Sequence, residues 1–275
     1  MIGAINNMSD FLVTNTNQLC DIVDIKEYRL DDPGFRAQCK ETLDREGVLV
    51  LRNFLTKASI ESIKQEGDEH KDLAYYTSSK HNIYLSPADN QFPSEHPRNR
   101  SVTSSKGCIT TDQIPGHSDL HTLYNSSEFT DFLCSVLDEA KLFEYADPLS
   151  SVNLHYAEKG QELGWHFDNS SFAITLMIQA PEQGGQFEYV KNVRNADQGE
   201  MNYDFAGKVL DGDIPVKNLS MDSGALVLFR GRNSMHRVTP AQGSRTRMLV
   251  VLAYNTKPGV SLSESARMTF YGRLG

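Results

Sequence analysis

A mainly β chain with helices packed outside it is what this sequence predicts, and three observations carry that reading. Beyond Pro148 the texture turns to short β-rich runs separated by Gly, Pro, Asn and Asp, the pattern of a sandwich or closed β-roll. Before it, apolar residues recur at helical spacing on either side of one apolar run. No internal repeat or low-complexity tract interrupts the 275 residues, a length that can bury one sizeable core. One domain over 1–275 is therefore expected: a lead-in of helices and loops over 1–147, a β core over 148–256, and a tail over 257–275.

The elements follow in order. Residues 1–25 read as a short lead-in with one strand-like piece, Phe11-Leu12-Val13. Phe35, Cys39 and Leu43 fall on one face of a helix over Asp32–Glu46, and Gly47 stops it. Val48–Phe54 is short and apolar enough to be a buried strand. Thr56-Lys57-Ala58-Ser59 opens a second helix through about Leu73, with Ile60, Ile63 and Leu73 on its inner side. Residues 74–115 are polar and rich in Pro, Ser, Asn and His, and read as long surface loops. Phe129, Phe132, Leu133, Val136, Leu137 and Leu142 predict a third helix within Ser126–Tyr145 that backs the sheet. The core strands are expected at Ser151–Tyr156, Ala173–Gln179, Gln186–Val190, Ala225–Phe229 and Met248–Tyr254. Reversals are expected at Pro181–Gly185 and Asp222–Gly224. Lys191–Met221, polar with scattered apolars, is expected to be an insertion over one rim.

Composition narrows the function. A formal charge of −9 with no long basic run is poorly suited to holding a phosphate backbone. Cys20, Cys39, Cys108 and Cys134 are widely spaced and form no CxxC pair, so they read as reduced structural thiols. No apolar run approaches a membrane span, and Met1–Asn17 lacks the basic-then-apolar layout of a signal peptide. A cytoplasmic protein is expected, with neither nucleic acid nor membrane as partner.

The chemistry concentrates in Gly164-Trp165-His166-Phe167-Asp168-Asn169 and Ser234-Met235-His236-Arg237-Val238-Thr239-Pro240. Residues two apart on a strand share a face, so His166 and Asp168 present an imidazole and a carboxylate side by side. His236 from a neighbouring strand completes a two-histidine, one-carboxylate set, which suits non-haem Fe(II) because it leaves coordination positions open. An HxD triplet alone occurs by chance, and a lone histidine is usually structural. The set gains specificity from its surroundings: a preceding strand with Tyr156, a Gly-Gly turn and strand after it, and Arg245 beyond His236. Arg245 is the preferred partner for a buried carboxylate, with Arg247 at the same strand parity as the alternative. On their strand only one of His155 and Tyr156 can face the cavity, and Tyr156 is the choice. His70, His81 and His96 read as surface residues. His117 and His121, four apart after Pro115-Gly116, read as loop residues and not as a second metal pair. Arg98 and Arg100, close together in a polar loop, read either as a solvated surface or as an anion clamp.

Tyr156, His166-Phe167-Asp168, His236 and Arg245 resemble the Fe(II)/2-oxoglutarate-dependent oxygenase superfamily over about residues 150–256. Within it, His236-Arg237-Val238-Thr239-Pro240 with Arg245 is similar to the prolyl-hydroxylase-type branch. More narrowly, Gly164–Asp168, Ser171-Phe172-Ala173 and Gly184–Val190 resemble the group that halogenates or hydroxylates free amino acids such as lysine. The Pro97-Arg98 loop is similar to a substrate-contacting segment of that group. The resemblance implies a double-stranded β-helix (jelly-roll, cupin-like) core and an iron held by His166, Asp168 and His236. It also implies 2-oxoglutarate as cosubstrate, its tail on Arg245 with help from Tyr156, and O2 as oxidant, with release of succinate and CO2.

Two departures matter. Halogenating members carry a small residue where this chain has Asp168, so hydroxylation is the implied outcome. Lysine-acting members place a histidine three before the first iron ligand and an acid after the carboxylate position, where this chain has Leu163 and Asn169. Lysine itself is thereby put in question. Arg98, Arg100, Asn169 and the insertion 191–221 are the expected substrate contacts. The expected activity is hydroxylation of an unactivated C–H bond in a small polar metabolite, a free amino acid or derivative. The alternatives are a protein or peptide side-chain hydroxylase and a non-catalytic jelly roll that binds a ligand or metal.

Overall fold

Strand pairing around the metal-ligand segments organises the chain. The structure is a computed structural model that describes residues 17–275, so the strand-like piece Phe11-Leu12-Val13 lies outside the described residues. The strands are Val48–Leu51 (β1), Tyr75–Asn82 (β2), Ser101–Ile109 (β3), Val152–Ala157 (β4), Leu163–His166 (β5), Ala173–Gln179 (β6) and Gln183–Gly184 (β7). They continue with Phe187–Val190 (β8), Lys217–Leu219 (β9), Leu226–Phe229 (β10), Met235–Val238 (β11), Ala241–Gln242 (β12) and Arg247–Leu252 (β13). Among the described residues, one antiparallel sheet of 11 strands runs β1-β10-β6-β13-β4-β3-β5-β11-β8-β9, with β2 added to β3. The β7–β12 pair stands apart. The sheet curls on itself into the jelly roll that the sequence predicts.

The helices are Leu19–Ile22 (α1), Pro33–Glu46 (α2), Lys57–Glu69 (α3), Asp119–Tyr124 (α4), Ser127–Leu137 (α5), Tyr203–Asp211 (α6) and Glu264–Tyr271 (α7). The first five pack on one outer face of the sheet, α6 packs against Trp165, Phe167 and Met235, and α7 packs against β2 and β3. Asp32 caps α2 by accepting from Phe35 N–H, and Gly47 closes it at φ 75°. Thr56 and Ser126 cap α3 and α5 in the same way. Phe54, Phe129, Phe132 and Leu133, all at 0% exposure, pack with Leu154, Tyr156, Val250, Leu176 and Leu228 into the main core. Alternate residues of the same strands, Asn153, His155, Leu249, Val251, Thr175 and Val227, face the inside of the roll instead.

Four expectations change. Residues 74–115 are not all loop, because β2 and β3 form a long hairpin within them. Its strands are polar and half-exposed, so they lack the apolar alternation by which a strand is read. Leu73 is 51% exposed and not inward-facing, since α3 ends at Glu69 and a 3-10 turn over Lys71–Leu73 rotates it outward. The insertion 191–221 carries α6 and β9. The tail 257–275 carries α7. No helix among the described residues is long and apolar enough to cross a membrane.

Candidate metal centre

His166 ends β5 and His236 lies in β11, and the antiparallel register pairs them directly. Directly opposed residues carry their side chains on one face, close together. Their ring centroids are 4.1 Å apart. Nδ1 of His166 faces the carbonyl of Gly164 at 2.8 Å and Nδ1 of His236 that of Ser234 at 3.0 Å. Donation from Nδ1 fixes each tautomer and leaves the Nε2 lone pair free for a metal.

Asp168 completes the set. Its Oδ1 lies 3.8 Å from His166 Nε2 and 3.5 Å from His236 Nε2, and one ligand atom from each of the three lies within 4.8 Å of the others. Asp168 Oδ2 is buried without a hydrogen-bond partner, a costly arrangement unless a cation meets it. Nε2 of His166, Nε2 of His236 and Oδ1 of Asp168 around a common centre fit a divalent first-row metal. Burial and then the neighbouring His236 push the His166 pKa down to about 3, so the imidazole is neutral at physiological pH, as a ligand must be. Burial opposes the charge of Asp168, but His236, His166 and Arg194 outweigh it and its pKa is lowered.

The backbone holds Asp168 in place. Its N–H donates to the Gly231 carbonyl at 3.2 Å, and Arg194 Nη2 donates to its carbonyl at 3.4 Å while the guanidinium lies 4.1 Å from the Phe167 ring centroid. Arg232 Nη1 donates to Asn169 O at 2.9 Å. A Cβ on Gly231 would lie 1.7 Å from Asp168 Oδ2, so only glycine admits the carboxylate here. Gly231→Ala is expected to weaken Mn(II) binding at least tenfold in a calorimetric titration without loss of the β circular dichroism signal, because displaced support of a ligand costs roughly 10–100-fold. Wild-type affinity in that variant would show that Asp168 is not a ligand in this position.

A cavity of about 340 Å³ opens from the three residues into the roll, lined by apolar side chains such as Phe187, Leu249, Val251 and Phe229 and by the polar Lys106, His155, Asn153 and Arg247. Strand parity is the reverse of the expected one. Tyr156 is 0% exposed and its hydroxyl donates to Gly67 O under α3, so it faces the helical core, while His155 faces the cavity. Arg245 is exposed in the turn before β13 and donates to Pro181 O at 3.2 Å. Arg247, first in the strand, is 4% exposed and lines the cavity, with Nε and Nη2 unpartnered. Burial lowers its pKa to about 10, which still leaves it charged at neutral pH.

Arg98, Arg100 and Asn169 do not line this cavity, and the insertion 191–221 reaches it through Met221. Arg98 donates to Pro87 O at 3.0 Å and sits over the Tyr84 ring. Arg100 pairs with Asp211 of α6, so the pair ties its loop to the insertion. Asn169 is exposed at the rim. His81 is half-buried, 6.3 Å from the His166 ring centroid, with Nε2 2.7 Å from Ser104 Oγ. His117 and His121 join no potential metal group among the described residues. Lys106, Arg194 and Gly231 are not singled out by the sequence, and Lys106 falls in the stretch read as surface loop. His155 is weighed against Tyr156 for the cavity and set aside, and the structure reverses that choice.

A family model described as Halogenase D matches residues 32–269. No curated protein is similar enough to match. Among solved structures, an oxidoreductase of the 2OG-Fe(II) oxygenase family from Burkholderia pseudomallei is similar at TM-score 0.51 and 13% identity, covering 84% of this chain and 95% of that one. The 2-oxoglutarate-dependent carbocyclase SnoK of nogalamycin biosynthesis is similar at TM-score 0.56 and 12% identity, covering 84% and 89%. HygX from Streptomyces hygroscopicus, solved with nickel, 2-oxoglutarate and hygromycin B bound, is similar at TM-score 0.53 and 14% identity, covering 82% and 89%. At these identities the likeness is one of fold.

Proposed function

The chain belongs to the Halogenase D family, and from that premise we propose that it is an Fe(II)- and 2-oxoglutarate-dependent oxygenase that hydroxylates a small polar metabolite, a free amino acid or close derivative. The observation that carries hydroxylation over halogenation is Asp168, whose Oδ1 faces Nε2 of both His166 and His236. A small residue at that position would leave room for a halide, and here the carboxylate fills it.

His166, Asp168 and His236 would hold Fe(II), which with 2-oxoglutarate and O2 supplies the oxidising chemistry, yielding succinate, CO2 and a hydroxylated product. The chain's own part is placement and exclusion. Nδ1 contacts to Gly164 O and Ser234 O orient the two imidazoles. Arg247 offers a buried guanidinium, with Nε and Nη2 unpartnered, to the distal carboxylate of the cosubstrate. Leu249, Val251, Val227 and Phe229 keep the cavity walls apolar, which strengthens that ion pair and limits water. A volume of about 340 Å³ lies at the small end of the roughly 300–1,000 Å³ of ligand clefts, and supports a small substrate over a peptide.

The test is a succinate-release screen of free amino acids and dipeptides with Fe(II), ascorbate and 2-oxoglutarate under air. One or a few free amino acids are expected to raise succinate well above the uncoupled background, with a hydroxylated product by mass. Turnover with dipeptides alone would transfer the reading to a peptide hydroxylase.

A further inference from the structure

Lys106 and His155 are enclosed in the roll beside the metal centre, and nothing derived so far uses them. Lys106 Nζ lies 3.2 and 3.1 Å from the two ring nitrogens of His155. The cavity also holds Arg247, and Asp168 supplies its single carboxylate. Burial lowers the pKa of Lys106 and that of His155, and Lys106 and Arg247 depress His155 further. Three nitrogen bases therefore share one enclosed space whose single carboxylate, Asp168, faces the two histidines of the metal centre. Buried cations without counter-charges are costly, so the arrangement calls for an anionic guest.

Register places that guest. β4 lies between β13 and β3 in the sheet. Arg247 is opposite Ala157 on one side. On the other, Gly107 is opposite Tyr156, which puts the preceding Lys106 level with Ala157 as well. The two cations thus start from the same height of the roll, two strand spacings or about 10 Å apart. Both project inward, and the small Ala157 lies between them. Long side chains from both flanks can close on one carboxylate over that alanine.

We infer that Lys106 is a second cationic contact for the distal carboxylate of the cosubstrate, closing on it from β3 while Arg247 closes from β13, with His155 orienting the amine. This rests on the 2-oxoglutarate reading above. Two cations on opposite flanks make the site selective for a dicarboxylic 2-oxo acid over one that lacks the far carboxylate.

The experiment is calorimetric titration of the Mn(II)-loaded full chain, with 2-oxoglutarate and separately with 2-oxobutanoate. Lys106→Met keeps the side-chain volume and removes the charge. It is expected to weaken 2-oxoglutarate binding roughly ten- to a hundredfold, the range of one charge-assisted hydrogen bond, and to leave 2-oxobutanoate affinity unchanged. Lys106→Arg should recover most of the loss. Wild-type affinity for 2-oxoglutarate in Lys106→Met, or an equal loss for both acids, overturns the assignment. If the wild-type protein itself binds no 2-oxoglutarate, the functional reading falls, and this inference with it.

Discussion

His166→Ala is expected to abolish 2-oxoglutarate turnover and to reduce Fe(II) affinity by more than a hundredfold, with the far-ultraviolet circular dichroism unchanged. Substitutions beside a metal ligand already cost roughly 10–100-fold, and this one removes a ligand. The fold should tolerate it. His166 caps no helix, its Nδ1 contact is to a carbonyl two residues away, and its side chain is only partly enclosed, at 15% exposure. Removing the imidazole also leaves Asp168 and His236 without a third member, and two ligands hold a labile metal weakly. Anaerobic Fe(II) titration and succinate release measure the two effects. Succinate production at the wild-type rate would remove the metal assignment altogether.

The second large effect separates two arginines. Arg247→Met should raise the 2-oxoglutarate concentration needed for half-maximal turnover about a hundredfold or more, since truncating one partner of a buried charge pair costs roughly 2–5 kcal/mol. Arg245→Met should change it less than about threefold, because Arg245 is exposed and bonded to Pro181 O. Stability should move the other way. Without ligand, Arg247 is a buried cation with two unpartnered nitrogens, and an apolar replacement of such a group can stabilise by roughly 1–4 kcal/mol. The ligand-free Arg247→Met protein is therefore expected to melt several degrees above wild type, and to gain less from added 2-oxoglutarate. A larger cosubstrate defect in Arg245→Met would mean that the exposed arginine holds the ligand.

The three metal-facing residues are legible because their signal is chemical and local. Two ligands two apart on a strand share a face whatever surrounds them, and the strand carrying the third ligand pairs beside it. Strand parity is legible in β4 and not in β13. β4 alternates, with Val152, Leu154 and Tyr156 on the face packed under the helices and the polar Asn153 and His155 facing the cavity. The inward face of this roll is therefore the polar one, and Tyr156 belongs to the core. β13 runs on from Arg247 as Met248-Leu249-Val250-Val251-Leu252 without alternation, and parity cannot separate Arg245 from Arg247. The boundary of β13 decides between the arginines. The register of Arg247 with Ala157 fixes it, and that is a tertiary fact. The β2–β3 hairpin escaped because Thr77-Ser78-Ser79-Lys80 and Ser101-Val102-Thr103-Ser104 are polar, with pairing supplied by the backbone. Arg98 and Arg100 were close in sequence, but Pro87 and Asp211 already engage them.

The anchorage of residue 168 is made by main-chain atoms: its amide on the Gly231 carbonyl and its own carbonyl under Arg194. None of that depends on what the residue carries beyond its α-carbon. An aspartate codon becomes a glycine codon by changing one base, so a single point mutation can empty the niche and leave the peptide around it in place. Reaction outcome in this scaffold is accordingly separable from folding, and the two can drift independently over generations.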